Sequence, residues 1–197
     1  KDYNDIEGQD IPEIGEIIET SAKRGEAHDP GKVTEEDRRR TAVHELGHAL
    51  MIMLSGSDQM PESVSIKSVF GSYGRVELKR TQHEMTESDY LNHVATLLAG
   101  KNAEIAFFGE HSSGCSSDYR RAKTMCKVMV KKLAMGTIGK TKPKDLLIKA
   151  DQISMNAIQE HKEFILKMTD VLLEKKAITG EELKKEFDSY LEGKTTA

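Results

Sequence analysis

From Thr34 to Leu54 the apolar residues Ala42, Val43, Leu46, Ala49, Leu50, Met53 and Leu54 recur at spacings of three and four, which predicts a helix. The apolar set wraps more than one face, so the helix is expected inside the protein, its few polar residues kept there for a purpose. Thr34 is a suitable N-cap, with acidic Glu35, Glu36 and Asp37 in the first turn. Between Pro61 and Arg80 the period changes: Val64 and Ile66, then Val76 and Leu78 beyond Gly71 and Gly74, alternate with polar neighbours, predicting a small hairpin. Thr86 caps a helix to about Phe108, with Tyr90, Val94, Leu97, Leu98 and Ile105 at helical spacing and Gly109 as its stop. A Ser/Gly loop over 112–117 leads to a helix from Asp118 to Ala134, closed by Gly136. One long helical stretch is predicted over Lys144 to Lys175, and Thr179 with Glu182 forms a capping box for a last helix through Leu191. The expected fold class is mainly α, a multi-helix domain with one small β hairpin or sheet beside the helix at 34–54.

Residues 1–33 read differently. Asp10 and Pro12 open a short helix with Ile14, Ile17, Ile18 and Ala22 inward; Gly25 closes it, and a polar stretch with Pro30 and Gly31 follows. This segment is expected to be a linker with one helix, a possible stump of a further domain, ahead of a domain over 34–197. The whole chain, 197 residues and 22.0 kDa, holds one generous domain and hardly two enzyme domains. A net charge of −4 gives no electrostatic reason to expect a nucleic acid or an anionic membrane as partner. Two cysteines, Cys115 and Cys126, are too few for a disulfide scaffold and lack C-x-x-C spacing, which points to a reducing compartment. The longest apolar run, Ala49 to Leu54, is far short of the roughly 20 residues that cross a bilayer, so the chain as given is expected to be soluble.

The apolar helix at 34–54 carries His44-Glu45-Leu46-Gly47-His48, an H-E-x-x-H motif. Two imidazoles one turn apart on one helical face reach a single zinc, and the intervening Glu stands beside the open coordination position. The competing reading, a pair of solvated surface histidines, is opposed by the apolar flanks Ala42, Val43, Ala49 and Leu50. Zinc of catalytic type needs a third protein ligand. The extended metzincin pattern would place Gly and His where Met51 and Leu54 stand, which excludes it. Four candidates remain downstream: Glu104, His111, Cys115 and Asp118. Asp118 is the best physical choice, a compact hard carboxylate fixed by a helix first turn after a small-residue loop. Glu104, on an apolar helix, suits the outer acceptor that a ligating histidine needs for its second nitrogen.

His28, His83, His93, His111 and His161 read as surface or packing residues, since none has a partner at i+3 or i+4 that completes a ligand pair. Met125 and Met129 are expected to fill a core, and Lys127, Lys131 and Lys132 to form a solvated face. Tyr73, near the hairpin turn, is a candidate substrate contact, with an ordinary surface role the favoured reading.

The blocks Thr41 to Leu50, Leu97-Leu98-Ala99-Gly100-Lys101-Asn102-Ala103-Glu104, and Phe108-Gly109 with Ser113 to Asp118 and Ala122 resemble the peptidase domain of FtsH-type AAA-linked zinc metalloproteases. The likeness continues through Leu172 to Lys175 and Gly180 to Glu182, and covers about Thr34 to Leu191. It implies that His44, His48 and Asp118 bind Zn2+, that Glu45 is the general base, and that Glu104 supports the site. It also implies an AAA ATPase partner domain, a hexameric ring, and unfolded polypeptide as substrate. The expected location is the cytoplasmic face of a bacterial inner membrane, or an organelle. Leu46 stands where the family usually has Ala, and Asn102 and Ile105 interrupt a block that normally reads G-G-R-A-A-E-E. Gly139-Lys140-Thr141 is not a P-loop, because the required earlier Gly falls at Ala134. The resemblance implies that the chain is the protease portion of a longer polypeptide rather than a free-standing relative, with residues 1–33 where the ATPase would join.

The expected function is hydrolysis of flexible or motor-delivered polypeptides by zinc-activated water, with the hairpin at 64–78 offering an edge for an extended substrate or simply covering the core. Two rivals stay open. One is a ring-assembly module with a structural or vestigial metal site, which would have no use for Glu45. The other is an H-E-x-x-H hydrolase outside this family, with Glu104 as the third ligand.

Overall fold

The computed structural model describes residues 34–55, 60–66, 75–78 and 85–195, with the backbone alone described over 75–78. The expected linker helix at 1–33, Gly71, Gly74 and the residues His28, Tyr73 and His83 lie outside the described residues. In chain order the elements are α1 (Glu35–Leu54), β1 (Pro61–Ser65), β2 (Arg75–Leu78), α2 (Glu87–Phe108), α3 (Ser116–Lys131), α4 (Pro143–Glu160), α5 (Lys162–Lys175), β3 (Ala177–Thr179) and α6 (Gly180–Thr195). A single 3-10 turn, Ser113–Cys115, leads into α3. The mainly α reading with a small sheet beside α1 holds.

Local chemistry accounts for several boundaries. Thr86 and Asp89 form a reciprocal capping box at the start of α2: the Thr86 hydroxyl accepts from Asp89 N–H at 3.3 Å, and Asp89 Oδ2 accepts from Thr86 N–H at 2.8 Å. The other end closes at Gly109, in the left-handed region, whose N–H donates to the Ile105 carbonyl. At α6 half of the expected box is present, Glu182 N–H donating to Thr179 Oγ1.

α1 is the central element. Its Ala42, Leu46 and Leu50 join Val64 and Ile178 of the sheet, Phe164, Ile165, Met168 and Leu172 of α5, and Leu183 and Phe187 of α6 in one apolar cluster. A second cluster binds Leu91 and Leu98 of α2 to Ala122, Cys126 and Met129 of α3 and Leu146 and Ala150 of α4. Burying such side chains is worth about 1.5–3 kcal/mol each, which makes these clusters the main source of stability. α1 and α2 approach closely at Gly47, where an added Cβ would stand 2.7 Å from the Ala99 carbonyl oxygen and 2.8 Å from Ala103 Cβ. Met129 is buried and Met125 partly so, while Lys127, Lys131 and Lys132 are exposed, as the periodicity implied.

Three features depart from the expected elements. The long helix predicted over 144–175 is two helices, broken at His161 (φ −109°, ψ 23°). The apolar spacing runs through without interruption, and no Gly or Pro marks the break. The turn lets Phe164 and Ile165 pack back towards α1, while His161 itself packs edge-on against Phe187 and Tyr190. The sheet has three strands in the order β2-β1-β3, because Ala177–Thr179 pairs antiparallel with β1 and sets Ile178 opposite Val64. A three-residue strand leaves too little alternation to be read. Finally, α3 starts two residues before Asp118 and ends at Lys131, and α6 runs to Thr195. Among the described residues no helix is long and apolar enough to cross a membrane.

Candidate metal centre

The fold turns one face of α1 towards α2 and the first turn of α3. His44 and His48 are one turn apart on that face, their rings 4.8 Å between centroids and 70° between planes. Their Nε2 atoms lie 3.0 Å apart. Asp118, in the first turn of α3, brings Oδ2 to 3.7 Å from His44 Nε2 and 3.6 Å from His48 Nε2. Among the described residues these three are the group of His, Cys, Asp and Glu side chains whose donor atoms converge, all within 4.8 Å of one another.

The outer nitrogens of both rings are occupied. His48 Nδ1 is 2.7 Å from the Thr96 carbonyl oxygen, so it carries the proton and donates. His44 Nδ1 is 2.7 Å from Glu104 Oε1 and donates likewise. Each neutral ring then points an Nε2 lone pair inwards, where the Asp118 carboxylate adds a third acceptor. Three acceptors without a donor repel one another and are stable together only around a proton or a cation. Two imidazoles and one carboxylate are a donor set that suits a divalent metal ion such as zinc. A tetrahedral ion about 2.0–2.2 Å from each donor requires donor separations of about 3.3–3.5 Å, and the observed 3.0, 3.6 and 3.7 Å straddle that value. The residues fit the ion.

The titration of the site without metal follows from the same contacts. Burial alone would depress His44, but its bonds to Asp118 and Glu104 and the Glu45 charge outweigh it and hold the pKa up at about 9. Burial would lift Asp118, yet hydrogen bonds from His44 and His48 take it well below the usual carboxylate range. Burial raises Glu45, which the neighbouring His48 and His44 partly offset.

Glu104 is nearly inaccessible, with 1% of its surface exposed. Burial would raise its pKa, but His44 and the Ser112 backbone N–H outweigh this and hold it at about 2. Its Oε1 accepts from His44, and its Oε2 accepts from Ser112 N–H at 2.7 Å and from Arg40 Nη1 at 3.3 Å. Glu104 therefore faces the far nitrogen of His44 and stands outside the converging triad.

The remaining candidates sit in the loop before α3. Cys115 is buried, and its Sγ lies 3.2 Å from His111 Nδ1 and 3.2 Å from the Ser112 carbonyl. His111 thus has a partner at i+4 after all. The pair forms across a 3-10 turn and not on a helix, where i,i+4 spacing alone does not bring two side chains together. Neither residue joins the triad. His161 is buried among aromatic rings, and burial lowers its pKa.

Two contributors escaped sequence reasoning. Gly100 of α2 faces the His44 ring so closely that an added Cβ would lie 2.4 Å from Nε2. A glycine in mid-helix was the available signal, since it costs about 1 kcal/mol in propensity and needs a reason. Arg40 gave no signal beyond standing one turn before His44.

Comparison with known proteins identifies the family. Residues 32–145 match the profile of Peptidase family M41. The chain is 32% identical over 128 residues to "ATP-dependent zinc metalloprotease FtsH 2" of Symbiobacterium thermophilum, covering 64% of this chain and 22% of that protein. It is 30% identical over 132 residues to "ATP-dependent zinc metalloprotease FtsH" of Leuconostoc mesenteroides, covering 66% and 18%. It is 26% identical over 196 residues to the protein of the same name from Ruminiclostridium cellulolyticum, covering 82% and 32%. The chain thus spans a third or less of the length of these curated relatives. The match spans more than half of the chain: this chain belongs to Peptidase family M41.

Proposed function

We propose that this domain is the zinc-dependent endopeptidase part of an ATP-driven protease and cleaves unfolded or motor-delivered polypeptides. The observation that carries the reading is the convergence of His44 Nε2, His48 Nε2 and Asp118 Oδ2, with Glu45 beside them on the same helix. Zinc held by these three residues supplies a Lewis acid that activates water and polarises the scissile carbonyl. Glu45 takes the proton of the attacking water. As the new C–O bond forms and the C–N bond breaks, Glu45 delivers that proton to the leaving amine. Glu104 and the Thr96 carbonyl fix the two rings by their outer nitrogens and so preserve the tautomer that leaves each Nε2 an unprotonated lone pair for the metal.

An outer strand of the sheet, β2, suits an extended substrate that pairs through its backbone, which gives broad sequence tolerance. The ATPase domain, the hexameric ring and membrane tethering of the full-length protein belong to the same reading. The relatives' printed name, ATP-dependent zinc metalloprotease, and the small share of their length that this chain covers support the ATPase domain; the ring and the tethering rest on the resemblance alone. The test is Glu45→Gln on an unstructured polypeptide, with zinc content measured in the same samples. Wild-type zinc content with cleavage reduced by about 10²–10⁴-fold is expected. Undiminished cleavage by Glu45→Gln refutes the assignment of Glu45, and equal behaviour with no cleavage by either protein favours the ring-assembly reading.

A further inference from the structure

Building on the metal-centre reading, we propose that Arg40 is a positioning residue that sets the geometry of the centre through Glu104. Arg40 lies one helical turn before His44 on α1, so both side chains reach the same part of α2. Its guanidinium carbon sits 4.4 Å from the Phe108 ring centroid. From there Nη1 has two acceptors, Glu104 Oε2 at 3.3 Å and the Glu110 carbonyl at 3.2 Å. Nη1 carries two N–H bonds, one for each.

The consequence lies in how the Glu104 oxygens are divided. Oε1 holds His44 Nδ1 at 2.7 Å. Oε2 is held on its other side by Arg40 and the Ser112 N–H. With both oxygens engaged the carboxylate cannot rotate about its terminal bond, so the His44 ring keeps one plane and one tautomer. The second contact of Arg40, to Glu110, ties down the loop that supplies Ser112 and runs through the 3-10 turn into Asp118. Arg40 therefore braces both arms of the centre, the His44 arm through Glu104 and the Asp118 arm through the loop.

An exposed ion pair would carry little weight, but Glu104 is 1% exposed and the Arg40 side chain 19%. Removing Arg40 leaves a buried carboxylate short of one donor. Arginine is specific to the task because a planar guanidinium stacks on Phe108 while donating from its edge; a lysine ammonium does one or the other.

The test measures the zinc dissociation constant of the chain by competition with a chromophoric chelator, together with the melting temperature of the metal-free protein. Arg40→Met keeps the aliphatic packing over Phe108. It is expected to weaken zinc binding by about 3–10-fold, less than the roughly 10–100-fold for losing the direct partner of a ligating side chain because Arg40 acts one contact further out, with Arg40→Lys in between. Unchanged affinity in Arg40→Met overturns the proposal. Should Arg40→Met fail to fold, Arg40→Lys decides: weaker binding supports the role and wild-type binding overturns it. His48→Ala serves as the control for the underlying reading. If it binds zinc as tightly as the wild type, the metal centre itself is wrong; if it loses zinc while Arg40→Met does not, only the role of Arg40 is.

Discussion

Adding one methyl group to Gly100 is expected to disable the metal centre while leaving the fold largely in place. A Cβ at this position stands 2.4 Å from Nε2, 2.5 Å from Cε1 and 2.6 Å from Cδ2 of His44. Non-bonded contact requires about 3.5 Å, so the imidazole must retreat by about 1 Å. The retreat is opposed by the Glu104 bond on the opposite nitrogen, 2.7 Å long, and a metal–ligand distance tolerates only about 0.2 Å of error. Displacing one of three protein ligands by that much should raise the zinc dissociation constant by at least about 100-fold, or roughly 2.7 kcal/mol. The metal-free fold has an opposing gain, since Gly→Ala within a helix is worth up to about 1 kcal/mol. The atoms in the way belong to a side chain and not to the α1 backbone. Chemical denaturation of metal-free Gly100→Ala should therefore show a stability within about 2 kcal/mol of the wild type. Chelator competition on the same samples reads zinc affinity. If Gly100→Ala binds zinc within a factor of three of the wild type, the ring has a second productive position and the reasoning fails.

Two further outcomes follow from the burial and charge environment of His44 and the cysteines. In the metal-free protein His44 has its pKa raised from 6.5 to about 9, so the folded state holds a proton that the unfolded state gives up. That stabilisation is complete below about pH 6.5 and disappears as pH rises through about 9, a loss of at most roughly 3 kcal/mol. Denaturation of chelator-treated protein at pH 6 and pH 9.5 should show the decline, and a rise over that interval would contradict it. Both thiols are buried, and burial pushes Cys115 up and Cys126 to about 11. A thiol reagent at pH 7.5 should label neither at an appreciable rate until denaturant is added; prompt labelling of the native protein would show that the α2–α3–α4 packing opens readily.

What could be read from the chain is what depends on near neighbours. The one-turn spacing of His44 and His48, the Thr86 capping box and the Gly109 stop are relations within four residues, so they hold wherever the helix is placed. The apolar excess of α1 announced its central position for a similar reason, since a helix with so little polar surface has to be enclosed. Asp118 was favoured among four candidates by its chemistry and its helix first turn, but nothing in the sequence measures its distance from His44 and His48.

Packing decided the rest. A carboxylate 70 residues beyond the motif meets both imidazoles only because α3 docks against α2 in the cluster around Ala122, Cys126 and Met129. The break at His161 and the third strand likewise arise from contacts with α1, α6 and β1, which leave no trace in the periodicity of the segments that make them. Arg40 and Gly100 show the limit most plainly. One is an ordinary charged residue and the other an unexplained glycine until α2 lies against α1, and only then does the fit of a ring, a carboxylate and a bare Cα become a physical constraint. Backbone geometry carries information over a turn of helix; contacts across many tens of residues exist only once the apolar faces have chosen their partners.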